Sequence, residues 1–430
     1  MSEQPGRSVK EAVARGIAAR YRKERLFRAL GLGALLVGLG FLAFFFYTLI
    51  GNGYTALGQT RILLDVELAE EAIDPEGARD LEALAAADYQ RLVRDALNRL
   101  FPDVTARAQL RELYSMVSPG AGFELRERVR DDPSVIGTTQ SLWLLADDDV
   151  DVIVKGHVDR TLPQDQRRIS DTELQWLAAL EAQDRVDIQL NRYFFTAGAS
   201  TDPELAGIWS ATVGSFFMLL VTLMLAFPLG VATAIYLEEF ASRNRWTDLI
   251  EVNINNLAAV PSIVYGLLGL AVFINAFGLP RSAPLVGGLV LSLMTLPVII
   301  IASRAALTAV PPSIREAALG VGASKMQMVL HHVLPLAMPG MLTGTIIGMA
   351  RALGESAPLM MIGMVAFIVD IPESPLDPST ALPVQVFLWA DSPERAFVER
   401  TSAAILVLLV FLLVMNATAI LLRKRFERRY

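Results

Sequence analysis

The chain contains no cysteine, which excludes disulfide bridges, thiolate metal sites and cysteine nucleophiles together. Histidine is almost as scarce, because three residues in 430 leave little material for a zinc centre. Only five lysines are present, and none follows glycine in the GxxxxGK[ST] pattern that cradles nucleotide phosphates. The sequence therefore predicts a chain with no metal site and no ATP site of its own, which is not by itself an enzyme.

Apolar residues, in contrast, make up 53% of the chain, and the mean hydropathy is +0.43. That share exceeds the 45–50% or so of ordinary soluble domains, and the excess lies in long runs, as in membrane proteins. The first run has 22 residues, longer than the apolar part of a signal peptide, so we expect an uncleaved helix. Six runs are long enough to span a bilayer, at residues 29–50, 208–237, 256–279, 285–301, 341–371 and 402–422.

Charged residues divide the chain into an acidic block and basic flanks. Residues 51–207 hold 29 acidic and 16 basic side chains, a net charge of −13, which leaves +6 for the rest of a chain whose total is −7. Basic residues precede the first run and recur after the second, fourth and sixth runs. Since cytoplasmic loops carry the excess of arginine and lysine, we predict six transmembrane helices, both termini in the cytoplasm, and the acidic block outside it.

This topology predicts a domain order along the chain. The predicted parts are a basic cytoplasmic N-terminus (1–28), a first transmembrane helix (29–50), an extracytoplasmic domain (51–207), a transmembrane domain (208–423) and a cytoplasmic tail (424–430). The fold class is thus an all-α polytopic membrane protein with an inserted soluble domain.

The acidic block is long enough to bury a core of its own, and we expect a mixed α+β fold. Residues 81–100 have helical spacing, whereas residues 141–154 and 150–158 alternate in part like strands. An aspartate run starts at Asp147, but valine stands at Val152 and Val158, where a calcium loop needs glycine and glutamate. We therefore predict a solvated acidic turn and no metal site.

The stretch 311–359 joins a polar, glycine-punctuated loop directly to an apolar run. Pro312 suits the first turn of a helix, and Gly322 suits the left-handed position that ends one. Ser324 and Gln327 have the spacing of a capping box at the start of a second short helix. The loop is therefore predicted to be a compact helix–turn–helix in the cytoplasm, a shape suited to docking.

The apolar run that follows is unusually long and carries two charges. Pro335 is expected to end the second short helix, and residues 336–369 are apolar apart from Arg351 and Glu355. At 1.5 Å per residue this run exceeds the roughly 30 Å hydrocarbon core. A helix that is kinked or broken, with Pro358 as one cause, is the expected solution.

The loop and the charged run resemble the permease subunits of ABC importers. Their EAA loop, which we place at residues 311–338, is matched by Glu316, Ala317, Ala318, Gly322, Leu334 and Pro335. More narrowly, residues 205–425 are similar to phosphate permeases of the PstA type. The matching text is VPSIVYG at 260–266, AVPPS at 309–313 and ARALGESAPL at 350–359.

The resemblance implies a type I ABC-importer fold and a transport function in the bacterial inner membrane. It implies that Glu316, Ala317, Ala318 and Gly322 seat the loop on an ATPase dimer, which holds the ATP and Mg²⁺. It further implies a homologous permease subunit and an extracytoplasmic phosphate-binding protein as partners, with lipid around the helices and no nucleic acid. Residues 51–207 resemble an N-terminal extension of some of these permeases.

Arg351 and Glu355 are the candidate residues of the phosphate pathway. They are four apart, so on a helix they share a face and can pair, and charges inside a span usually line a pathway or an interior contact. The alternative is a structural pair that only holds helices together. Arg304, at the end of the fourth run, is expected to extend towards lipid headgroups.

Two other functions stay open at this stage. The chain could serve an importer for a different oxyanion or small solute. It could instead be a membrane-anchored sensor whose 51–207 domain detects an external signal, although the sequence contains no recognisable cytoplasmic output domain.

Overall fold

The computed structural model describes residues 9–77 and 79–426, which divide after residue 52 into two compact units. The first unit is formed by helix α1, Val9–Gly53. Its side chains from Arg20 onward are almost all exposed, including the apolar run that begins at residue 29. An apolar helical surface of this kind is compatible with lipid as its surroundings.

Residues 54–207 form an α/β segment built on a three-stranded antiparallel sheet of order β2-β1-β3. The strands are β1 (Gly58–Glu67), β2 (Thr139–Leu145) and β3 (Val186–Leu190), with Leu63 opposite Trp143 and Arg61 opposite Asp187. The helices are α2 (Glu70–Ile73), α3 (Leu81–Ala86), α4 (Tyr89–Leu100), α5 (Arg107–Tyr114), α6 (Gly120–Asp131), α7 (Asp148–Val154), α8 (Asp171–Glu181) and α9 (Arg192–Thr196).

Buried and partly exposed side chains alternate along β1, and helix α4 packs on the buried face of the sheet. Ile62, Leu64 and Val66 are fully buried, and they lie in one apolar cluster with Leu92 and Leu97 of α4. The helical spacing predicted for 81–100 is realised as two helices, α3 and α4. They are separated because the Asp88 side chain accepts a hydrogen bond from the Arg91 amide and so starts α4 as its N-cap.

One prediction of secondary structure in this segment was wrong. The second half of the stretch predicted as strand is α7, because Asp147 caps a helix there by accepting from the Asp149 amide. Acidic residues then occupy the first turn of α7, where they complement the helix dipole. The buried Val150 and Val152 thus face the core from a helix, although their spacing resembles that of a strand.

All regular elements described within residues 208–426 are helices. They are α10 (Trp209–Ile235), α11 (Arg245–Ala258), α12 (Ser262–Leu268), α13 (Pro284–Thr308), α14 (Pro312–Gly320), α15 (Lys325–Met328), α16 (Leu334–Leu353), α17 (Ala357–Met361), α18 (Leu382–Ala390) and α19 (Ala396–Phe426). π-Helical turns extend α10 through Tyr236–Phe240 and α12 through Gly269–Ala276, and another, Val329–Val333, joins α15 to α16.

Five helices in the described residues are long and apolar enough to cross a membrane. A sixth span results if α11 and α12 with its π-turn are counted as one, although they meet at an angle of 103°. The bend coincides with Pro261, which has no amide hydrogen to continue a helix. The run 336–369 is discontinuous as expected, since α16 ends at Leu353 and α17 starts at Ala357.

Buried ion pairs connect the α/β segment to the start of α19. Lys155, which follows α7, places its Nζ 2.7 Å from a carboxylate oxygen of Asp151 and 2.7 Å from one of Glu399. The Glu399 carboxylate also meets the His157 ring at 3.0 Å, and the fully buried Arg400 donates to the Ala206 carbonyl at 2.9 Å. The sheet domain and the last long helix are therefore one packed structure.

Candidate functional site

The first half of the EAA loop is the helix α14. Pro312 lies in its first turn, and the chain leaves it through Gly322, whose φ of 92° is a left-handed conformation that favours glycine. Glu316 and Ala317 are exposed, whereas Ala318 is buried against the neighbouring helices. The residues of the predicted docking motif therefore divide between an outward face and an inward face.

The second half of the loop begins with the predicted capping box. The Ser324 hydroxyl accepts from the Gln327 amide at 3.3 Å, and the Gln327 side chain accepts from the Ser324 amide at 2.9 Å. The prediction that Pro335 ends this helix was wrong. The chain stays helical from Lys325 to Leu353, because the π-turn before α16 leaves Pro335 in the first turn of a new α-helical segment.

The inward side of α14 carries an ion pair that the sequence analysis missed. The Arg315 guanidinium donates to a single Glu239 oxygen, from Nη2 at 2.7 Å and from Nε at 3.1 Å. It also donates to the backbone carbonyls of Val310 at 2.7 Å and Leu307 at 2.9 Å. Glu239 lies in the π-turn that ends α10, so this pair joins the end of α10 to α13 and α14, which are distant from it in sequence.

Arg304 occupies a different environment from the one expected. Instead of extending towards lipid, its Nη2 lies 2.8 Å from a Glu251 carboxylate oxygen on α11, and its Nε lies 3.5 Å from Glu238. The two acidic partners compensate a cation that is only partly exposed. Glu238, Glu239 and the two arginines therefore hold α10, α11, α13 and α14 together at one end of the bundle.

The predicted pathway residues lie where α16 ends. Arg351 is in its last turn, and Glu355 follows the helix in the break before α17. The Arg351 Nε and Glu355 Oε1 atoms are 3.7 Å apart, beyond the usual 2.7–3.2 Å of a direct hydrogen bond. The Arg351 side chain is 52% exposed and that of Glu355 is 22% exposed, so the guanidinium is open to a further contact.

The break after α16 packs closely on α12, which brings two of the matched motifs together. A Cβ added at Gly266 would lie 2.7 Å from the Pro358 Cα and 2.8 Å from the Met361 Cβ. Only glycine permits this approach of helix α12 to α17. The EAA loop and Arg351, in contrast, lie towards opposite ends of the continuous helix Lys325–Leu353.

The aspartate run proves to be partly buried and not the solvated turn we predicted. Asp147, Asp148 and Asp149 each offer a carboxylate oxygen within 4.8 Å of the others. Burial, together with the neighbouring Asp148 and Glu204 carboxylates, raises the pKa of Asp147 to about 8. Burial likewise raises the pKa of Glu204 to about 7. The capping bond of Asp147 to α7 accounts for its position.

A cavity of about 580 Å³ lies in the α/β segment, away from both predicted sites. Arg61, Glu124, Trp143 and Tyr193 are among its lining residues. The Arg61 guanidinium is already paired with Glu124 at 2.8 Å, so it is not free to bind an anion.

Two family profiles match the chain. Residues 226–430 match the profile described as "Binding-protein-dependent transport system inner membrane component". Residues 14–164 match a domain of unknown function (DUF3333). The second match covers most of α1 and most of the α/β segment, so that part is an N-terminal extension to the transport module.

Curated relatives match about half of the chain. "Phosphate transport system permease protein PstA 1" of Mycobacterium tuberculosis (strain H37Rv) is 33% identical over 234 residues, 54% of this chain and 74% of that protein. PstA of Xylella fastidiosa (strain 9a5c) is 30% identical, over 54% of this chain and 80% of that protein. The "Probable ABC transporter permease protein YqgI" of Bacillus subtilis is 35% identical over 173 residues. The match covers 40% of this chain and 58% of the length of YqgI.

Solved structures align over about half of the chain. An inward-facing MetNI methionine ABC transporter gives a TM-score of 0.42 at 17% identity, over 51% of this chain and 94% of that chain. A bacterial ABC transporter involved in the import of the polysaccharide alginate gives a TM-score of 0.40 at 14% identity, over 51% of this chain and 79% of that chain. By its sequence relatives, the chain belongs to the family of ABC-importer inner-membrane permeases of the PstA type.

Proposed function

We propose that the chain is the transmembrane permease subunit of an ATP-driven importer that carries inorganic phosphate across the cytoplasmic membrane. The observation that carries the proposal is the 33% identity over 234 residues to a relative named as a phosphate transport permease. The RALGESAPL text that resembles phosphate permeases contains Arg351, which lies in the last turn of an apolar helix. Its half-exposed donor fork, held only loosely by Glu355 at 3.7 Å, suits an oxyanion.

The proposed topology has six spans, with the bent pair α11–α12 counted as one. Both termini, 1–28 and 424–430, lie in the cytoplasm, as does the EAA loop, because basic residues concentrate in these parts. The α/β segment, assigned from the sequence to 51–207, lies outside, and the permease domain occupies 208–423.

In this topology α16 leads away from the cytoplasm, and Arg351 lies 17 residues after Leu334. At 1.5 Å per residue this is roughly 26 Å, near the far side of a hydrocarbon core of about 30 Å. Arg351 would therefore meet phosphate towards the outer end of the path. Glu355, at 3.7 Å, balances the charge loosely enough for an oxyanion to take its place.

The EAA loop is proposed to dock on an ATPase dimer that binds ATP and Mg²⁺, since this chain has no phosphate-cradling loop. Glu316 and Ala317 lie on the exposed face of α14, Ala318 fixes its inward face, and Gly322 shapes the turn. Closure of the ATPase dimer would move the loop, and the spans would switch access as rigid bodies. A homologous permease and an extracytoplasmic phosphate-binding protein complete the assembly within the lipid bilayer.

Phosphate uptake by cells that lack their own phosphate importer and express the complete system tests the proposal. Arg351→Ala is expected to abolish uptake while the complex still assembles, and Arg351→Lys is expected to retain part of it, because charge remains without the donor fork. Glu316→Ala is expected to weaken ATPase association. Arg243→Ala, an exposed arginine in the loop after α10, is the matched control and should leave uptake unchanged.

Normal uptake by the Arg351→Ala variant would remove Arg351 from the pathway. The substrate is tested by ATP hydrolysis of the purified complex with its binding protein. Stimulation by phosphate supports the proposal, and stimulation by sulfate or molybdate in place of phosphate would assign the transporter to another oxyanion.

A further inference from the structure

The two faces of the EAA loop have different surroundings. Its outward face presents Glu316 and the exposed apolar side chains of Leu319, Val321 and Met326, with Val321 85% exposed. Its inward face is packed, because Ala318 and Met328 are buried with residues of α10 and α13. A load applied to the outward face therefore reaches α10 through the inward contacts, besides passing along the chain into α13 and α16.

The strongest inward contact is polar and centres on Glu239. The Glu239 side chain is only 6% exposed, and both of its bonds from Arg315 end on one oxygen, at 2.7 and 3.1 Å. Removing one partner of a charged pair withdrawn from water is strongly destabilising. This pair therefore holds its two elements together more firmly than an exposed surface ion pair would.

Arg315 also binds the C-terminal end of α13. Its guanidinium donates to the carbonyl of Leu307 in the last turn of that helix and to the carbonyl of Val310 just after it. Next to it, the Lys325 ammonium lies 5.2 Å above the ring of Phe240, the residue after Glu239. Both halves of the loop therefore contact the same π-turn, Tyr236–Phe240.

We propose that Glu239 and Arg315 are the positioning pair that transmits movement of the EAA loop to α10 and α13. The inference rests on the proposed function. Glu239 touches neither solute nor nucleotide; it converts displacement of α14 into displacement of the end of α10. The π-turn supplies the wider turn in which Glu239 lies next to α14.

The test is the complete transporter in proteoliposomes, with phosphate uptake and ATP hydrolysis measured on one sample. Glu239→Ala is expected to keep the ATPase bound but to lower the phosphate moved per ATP by tenfold or more. For Glu239→Gln, which keeps an acceptor for Arg315, the phosphate moved per ATP is expected to lie between the values of the wild type and Glu239→Ala. Arg315→Lys should also be uncoupled, because one ammonium cannot reach Glu239 and two carbonyls together. Asp248→Ala, an exposed carboxylate on α11, is the control.

A second readout does not depend on the substrate. Hydrogen exchange of the 312–328 amides in the purified chain should be at least tenfold faster in Glu239→Ala than in Asp248→Ala. If the wild type moves no phosphate, the proposed function fails, and this measurement still decides the pair. An unchanged ratio of phosphate to ATP, unchanged exchange, or loss of ATPase binding together with uptake would each overturn the inference.

Discussion

Lys155 carries a charge that is almost entirely withdrawn from water where the α/β segment meets α19. Its side chain is 2% exposed, and its two carboxylate partners, Asp151 and Glu399, are 3% and 4% exposed. Both Nζ–oxygen distances are 2.7 Å. Asp151 is held in turn by the Thr60 amide of β1 at 2.8 Å, so the ions connect the sheet, α7 and α19.

Lys155→Met keeps most of the side-chain volume and removes the charge. The two carboxylates would then be buried without their shared cation, a change that costs about 3–5 kcal/mol. The matched control is Arg160→Met, whose pair with Glu181 has the same 2.7 Å distance but lies in solvent, with side chains 41% and 33% exposed. That loss should be about 1 kcal/mol or less.

Hydrogen exchange of the α7 amides in the purified full chain measures the difference. If the free energy of opening falls by about 3 kcal/mol, the amides exchange more than about a hundredfold faster, and if it falls by about 1 kcal/mol they exchange about fivefold faster. Combining Lys155→Met with Glu399→Gln should recover part of the protection, because one unpaired carboxylate is removed as well. If Lys155→Met and Arg160→Met have the same small effect, the buried ions do not hold the segment to α19.

Three further changes have defined outcomes. Burial raises the pKa of Asp147 to about 8 and that of Glu204 to about 7, against ordinary values near 4. The stability that these two protonated carboxyl groups contribute is therefore full below about pH 4. It is lost as the pH rises through about 7 to 8. Thermal unfolding of the chain should therefore occur at lower temperature at pH 9 than at pH 6, and Asp147→Asn should reduce the difference. Gly266→Ala forces a Cβ to within 2.7 Å of Pro358 and should cost about 1–3 kcal/mol, seen as faster exchange of the α17 amides; unchanged exchange would contradict the close packing. Ser324→Ala removes the N-cap of α15 and should cost about 1 kcal/mol, measured on the α15 amides, with no change at α7.

The features predictable from the sequence are those whose causes are local. The Ser324–Gln327 capping box joins residues three apart, and the break in 336–369 follows from its length and its proline. The α7 prediction failed where two local signals compete. Alternating valines favour a strand, but the Asp147 cap and the acidic first turn favour a helix, and the helix formed.

The missed residues depend on contacts between distant parts of the chain. Glu239 and Arg315 are 76 positions apart, and no periodicity relates them. Arg304 resembles an arginine that extends to lipid until α11 folds back and brings Glu251 to 2.8 Å. The single signal in the sequence was the presence of Glu238 and Glu239 at the end of an apolar run, where unpaired acids would be costly.

ATP-dependent phosphate uptake into proteoliposomes tests the central proposal most directly. The vesicles would contain this chain with its partner permease and the ATPase, ATP inside, and binding protein with labelled phosphate outside. The account predicts uptake that requires ATP, resists excess sulfate, and disappears in Arg351→Ala but not in Arg243→Ala. Uptake that sulfate abolishes, or no ATP-dependent phosphate uptake at all, would contradict it.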